Sequence, residues 1–100
     1  MDQANLERIE QMEAYLDECA AAVADLQPKL ERLDDLRQKM IALFQYYGSP
    51  AWYADREAQL PPGTKAGVLS EDAVYDLITD TRDTAFHMLE TATDVLKNRM

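Results

Sequence analysis

The residues best placed to do chemistry sit in two groups, a row of acids with one histidine and a knot of aromatics. Asp72, Asp76, Asp80, Asp83, His87, Glu90 and Asp94 follow one another at spacings of three or four. On a helix that spacing puts them along one face. Asp80, Asp83 and His87 are the candidate metal ligands: carboxylates suit Mg²⁺ or Mn²⁺, and imidazole suits transition metals. Dimetal helical bundles use a Glu-x-x-His pair from each of two helices. This chain has one His, and no Glu stands three residues before it. A solvated helix face therefore accounts for the row more simply than a metal site.

The aromatic knot is the more unusual feature. Five of the eight aromatic residues, Phe44, Tyr46, Tyr47, Trp52 and Tyr53, fall within ten positions. Such a group can form a patch that receives a peptide or a flat ligand. It can equally act as a small core, each ring burying area while its polar tip reaches a partner. Nucleophiles are poorly provided. Ser49 and Ser70 read as helix caps, and Cys19 falls on an apolar seam with no basic neighbour to lower its pKa. We assign no catalytic residue and no cofactor.

These groups need elements to hold them. Gly and Pro are nearly confined to the middle of the chain, at Gly48, Pro50, Pro61, Pro62, Gly63 and Gly67, with Pro28 the exception. The plan is a single helical domain: an arm over 3–47, a connector over 48–69 and an arm over 70–99. With Ile9 at heptad position a and Met12 at d, the a positions are Ile9, Leu16, Val23, Leu30, Arg37 and Phe44. The d positions are Met12, Cys19, Leu26, Leu33, Met40 and Tyr47. Only Arg37 breaks the apolar seam. A repeat this long predicts coiled-coil-like packing.

Pro28 either kinks or breaks this arm, because a helix-interior Pro removes a hydrogen bond and costs about 3 kcal/mol. The heptad phase runs through Pro28 unshifted, with the Pro at the outer f position, which favours one kinked helix to Tyr47 over a stop near Asp25. Gly48 then reads as a left-handed cap. Ser49-Pro50 opens a short helix to about Ala58, the Ser as cap and the Pro at the first position. Leu60-Pro61-Pro62-Gly63 ends it, and Lys65 to Leu69 reads as loop. Ser70 caps the second arm, with Leu69 and Val74 at the staple positions. Val74, Leu77, Ile78, Thr81 and Ala85 begin its apolar stripe, and Lys97 and Arg99 suit its C-terminal end. The fold class is all-α, two long amphipathic arms and a short connector helix in an antiparallel, coiled-coil-like bundle.

Composition bounds the function. The chain has 100 residues, 19 acids, 10 bases and a formal charge of −9. Binding to a phosphate backbone runs on Lys and Arg, so no nucleic acid is expected as partner. One Cys excludes an internal disulfide. The longest apolar run, Cys19 to Ala24, is far short of the ~20 residues of a membrane span. With no signal-peptide pattern at the start, the expectation is a cytoplasmic protein that does not enter membranes. The charge divides as −7 over residues 1–35, +2 over 36–69 and −4 over 70–100.

Tyr46-Tyr47-Gly48-Ser49, then Trp52, then the run Gly67-Val68-Leu69-Ser70-Glu71-Asp72-Ala73-Val74-Tyr75-Asp76-Leu77, resemble a family of small acidic proteins catalogued as a domain of unknown function. Ala92-Thr93-Asp94-Val95-Leu96-Lys97 is similar too. The resemblance implies a bacterial, cytosolic, all-helical protein and carries no catalytic residue with it.

Two arms with one stripe each bury little if paired once, so a partner is expected, most simply a second copy as a homodimer. The expected function is a non-enzymatic protein–protein interaction module that uses the apolar seam or the aromatic connector. The alternative is a small metal-dependent hydrolase of the nucleotide pyrophosphohydrolase kind. Glu71-Asp72 followed by Asp76 is similar to the acidic clusters of those enzymes, but their Glu-Glu-x-x-Glu spacing is absent. A third reading is an acidic mimic of nucleic acid that occupies a basic groove.

Overall fold

The computed structural model describes residues 2–98. They form four α-helices and one 3₁₀ turn: α1 (Gln3–Asp35), α2 (Arg37–Tyr46), α3 (Pro50–Glu57), the 3₁₀ turn Gly67–Leu69, and α4 (Glu71–Lys97). This is the expected all-α class, with two long helices and short connectors. The chain divides into two units, at the junction of Gln38 and Lys39.

The first unit is essentially α1. Asp2 caps it, its carboxylate accepting from the Ala4 N–H at 3.4 Å. The helix passes through Pro28 without a break. Pro28 sits at an outer, exposed position, where its missing N–H leaves the apolar seam undisturbed. The interruption comes later than expected, at Leu36, and this corrects the single helix to Tyr47. The Leu36 N–H is shared between the carbonyls of Arg32 (3.2 Å) and Leu33 (3.1 Å), which tightens the last turn. The flanking charges explain the position. Asp34 and Asp35 are weak helix formers and oppose the dipole at the C-terminal end of α1. The same acids favour the N-terminal end of the helix that follows, and Asp34 holds Arg37 at 3.1 Å. No residue of α1 is buried.

The second unit holds the core. Gly48 adopts φ +76°, as a left-handed cap requires, and the Ser49 N–H returns to the Tyr46 carbonyl at 3.0 Å. Ser49 then caps α3 by accepting from the Trp52 N–H at 3.2 Å, with Pro50 in the first turn. The connector helix ends at Glu57, with Ala58 as its cap. Gly63 takes φ +83° in the turn that Thr64 closes onto the Pro61 carbonyl. Gly67–Leu69, expected as plain loop, forms a 3₁₀ turn that delivers Ser70 to the start of α4. Ser70 accepts from the Ala73 N–H at 3.1 Å, and Glu71 and Asp72 occupy the first turn.

Trp52 and Val74, each 3% exposed, are the buried residues among those described. Leu43, Phe44, Tyr46, Tyr47, Val68, Leu69, Ile78 and Thr81 are half-buried. The stripe on α4 is thus covered only over its first turns. From Arg82 to Asn98 every residue is exposed, including Leu89, Val95 and Leu96. Arg99, expected to support the end of α4 beside Lys97, lies outside the described residues. Among those residues no helix is long and apolar enough to cross a membrane.

Candidate functional site

The aromatic group is assembled from local signals. The Gly48 cap ends α2 just after Tyr46 and Tyr47. The Ser49-Pro50 start then sets the phase of α3, which buries Trp52. The Tyr47 ring meets Trp52 edge-on, with centroids 5.0 Å apart and planes at 61°. Tyr53 also meets Trp52 edge-on, at 5.0 Å and 78°. Both are the edge-to-face geometry that the ring quadrupole favours. The Arg56 guanidinium lies 4.7 Å from the centroid of the Trp52 ring, a cation over a π face.

Three of the polar tips have acceptors, two on the backbone and one on an acid. The Trp52 indole N–H donates to the Val68 carbonyl at 2.9 Å. The Tyr47 hydroxyl donates to the Glu71 carbonyl at 2.8 Å. The Tyr46 hydroxyl donates to the Asp55 carboxylate at 2.6 Å. That hydrogen bond, with desolvation and the carboxylate's charge adding to it, raises the Tyr46 phenol above its ordinary 10.0. Arg56 also reaches the Glu71 carboxylate at 3.6 Å, a largely solvated pair of small energetic value.

Of the five candidate patch residues, Tyr47, Trp52 and Tyr53 are in ring contact, and Tyr46 ties α2 to α3 through Asp55. Phe44 is half-buried on α2. Tyr53 is 57% exposed and presents the largest free ring surface of the group. Sequence reasoning missed Arg56, Asp55 and the Val68 and Glu71 carbonyls. Arg56 had a signal, since it stands four residues after Trp52 on the same helix and therefore on the same face. The two carbonyls had none, because a backbone acceptor leaves no trace in residue type.

Asp80, Asp83 and His87 all lie exposed on α4. Among the described residues no three of His, Cys, Asp or Glu gather as a metal ion would require. A shallow hollow further along is lined by Leu89, Glu90, Thr93 and Asp94, all from α4 itself. It is an open face of one helix, without convergent groups from a second element.

The seam of α1 is the other surface of note. Ile9, Leu16, Val23 and Leu30 at a, and Met12, Cys19, Leu26 and Leu33 at d, are all exposed. Leu16 reaches 61% and Val23 54%. Scattered exposed apolar residues are ordinary, whereas a contiguous row of eight is not.

Four helices, a small aromatic core and an exposed heptad seam define a small all-α protein. The chain belongs to the family described as Domain of unknown function (DUF4298), whose model matches residues 9–91. The residues that carried the resemblance, Tyr46 to Leu77, lie within that match, and Ala92–Lys97 lies beyond it. No curated protein matches the chain.

Proposed function

We propose that the protein is a non-enzymatic protein–protein interaction module whose docking surface is the α1 seam. The observation that carries this reading is the state of that seam. Eight consecutive a and d positions hold apolar or sulfur-bearing side chains on an uninterrupted helix, and all eight are exposed. Keeping such a stripe in water forfeits about 25 cal/mol for each Å² that a partner could cover. The aromatic group offers less to a partner, since Trp52 is buried and the hydroxyls of Tyr46 and Tyr47 already have acceptors.

Cys19, at a d position and exposed, is a built-in probe of occupancy. In intact cells that make the protein, a permeant maleimide should label Cys19 much more slowly than in a variant whose seam is broken by Leu16→Asp and Leu26→Asp. Equal labelling rates in the two would rule the seam out as a docking surface.

A further inference from the structure

We propose that the occupant of the α1 seam is α1 of a second copy of this chain, lying parallel and in register. The inference rests on the seam reading above and goes further by naming the partner and its direction. The first support is the choice of seam residues. Two of its four a positions are β-branched, Ile9 and Val23, and two of its four d positions are Leu, Leu26 and Leu33, and β-branched a with Leu at d leans toward two parallel strands.

The second support, which decides the direction, is the charge beside the seam. The e positions are Glu13, Ala20, Gln27 and Asp34, and the g positions are Arg8, Tyr15, Ala22 and Lys29. Every charge at e is negative and every charge at g is positive. In a parallel pair, g of one helix faces the following e of the other. Arg8 then meets Glu13 of the second copy, Lys29 meets Asp34 of the second copy, and two-fold symmetry repeats both. In an antiparallel pair e faces e and g faces g. Whatever the register, charges there meet like charges or neutral residues, never opposite ones. Like charges at these positions are disfavoured and opposite ones select partner and direction.

The remaining acids of α1 do not obstruct this. Glu10, Asp17, Glu18, Asp25 and Glu31 fall at the outer b and c positions and Glu7 and Asp35 at f, and at physiological salt the Debye length is only about 8 Å. Asp34 also holds Arg37 of its own chain at 3.1 Å. It is 68% exposed there, and a carboxylate has acceptor sites for more than one cation.

The in-register parallel pair makes a sharp geometric demand: each seam residue meets its own copy, so Cys19 faces Cys19. An antiparallel pair with the same layers aligned puts Cys19 opposite Val23. The test uses the full chain in three measurements. Light scattering in reducing buffer should give a dimer at micromolar concentration. Mild oxidation should convert that dimer to a covalent one, and Cys19→Ser should abolish the conversion. In the Cys19→Ser background, nitroxide labels on Ala4→Cys should lie close together across the dimer. In an antiparallel pair they would be roughly 50 Å apart at 1.5 Å per residue.

A dimer with distant labels overturns the parallel arrangement. A monomer at every micromolar concentration overturns the second copy as occupant. If Cys19 is still protected in cells while the purified protein is monomeric, the seam reading survives and only this inference falls. If protection is absent as well, both fall.

Discussion

The indole N–H of Trp52 donates to the backbone carbonyl of Val68 at 2.9 Å, across sixteen residues of chain. That one bond joins the connector helix α3 to the 3₁₀ turn that leads into α4. With Tyr47 reaching the Glu71 carbonyl, it fixes the entry of α4 against the end of α2. Trp52 and Val74 are the buried residues among those described, so the second unit depends on very few groups.

Trp52→Ala removes the largest of them. The expected loss is about 3–5 kcal/mol, the range for deleting a buried aromatic. In a unit with so little other core, that should abolish its cooperative melting. Trp52→Phe keeps a ring but leaves the Val68 carbonyl without its donor, at a cost of about 1–3 kcal/mol. Urea titrations followed by amide exchange in α3 and the start of α4 check both. An unchanged midpoint for Trp52→Ala would show that the ring is not what holds this unit together.

The Tyr46–Asp55 bond sets a pH dependence. The phenol is raised above 10.0 in the folded chain, so the unfolded chain gives up its proton first as pH rises. The stabilisation is therefore complete below pH 10 and fades as pH climbs through the folded value. Ultraviolet titration should show a late tyrosine component, and Tyr46→Phe should remove it. Titration of the folded Tyr46→Phe variant with the late component intact would assign it to another residue.

The serine caps should each be worth about 1 kcal/mol. Ser49→Ala loses the acceptor for the Trp52 N–H, and Ser70→Ala the acceptor for the Ala73 N–H. Both should lower the melting temperature of the second unit. Replacement by Asp should restore it, because Asp caps as well as Ser. Failure of Asp to restore would mean the effect is not capping.

Pro28 is tolerated in α1 but not favourable there. Pro28→Ala restores the missing N–H and removes the ring from the helix interior, for a gain of up to about 3 kcal/mol. Circular dichroism should show more helix and a higher midpoint. A drop in helicity would mean that Pro28 is needed where it stands.

The charge pattern beside the seam predicts a rescue. Arg8→Glu or Glu13→Arg alone should weaken self-association by up to roughly tenfold in Kd, each turning attractive pairs into repulsive ones. The double variant Arg8→Glu/Glu13→Arg should recover most of it. These two residues are chosen because, among the described residues, neither has an ion-pair partner within the chain. Sedimentation at low and high salt reads the effect, which added salt should shrink. A double variant no tighter than the singles would mean that Arg8 and Glu13 do not face each other.

Much of this molecule could be read one residue at a time. Helix starts at Ser49-Pro50 and Ser70, the left-handed Gly48 and the heptad of α1 are all local: a side chain or a missing Cβ acts on backbone within four residues. The all-α class follows from those signals, and so does the passage of α1 through Pro28, since the heptad phase crosses it unshifted. The break at Leu36 was not legible, because no Gly or Pro marks it. It depends on how two acids suit the end of one helix and the start of the next. Nor could residue types foretell which apolar positions would be covered. Val74 and Leu96 carry the same apolar signal on one helix, yet Val74 is 3% exposed and Leu96 77%. Burial is decided by what the chain brings alongside, here a 3₁₀ turn tied to Trp52 through the Val68 carbonyl, an acceptor that no side chain announces.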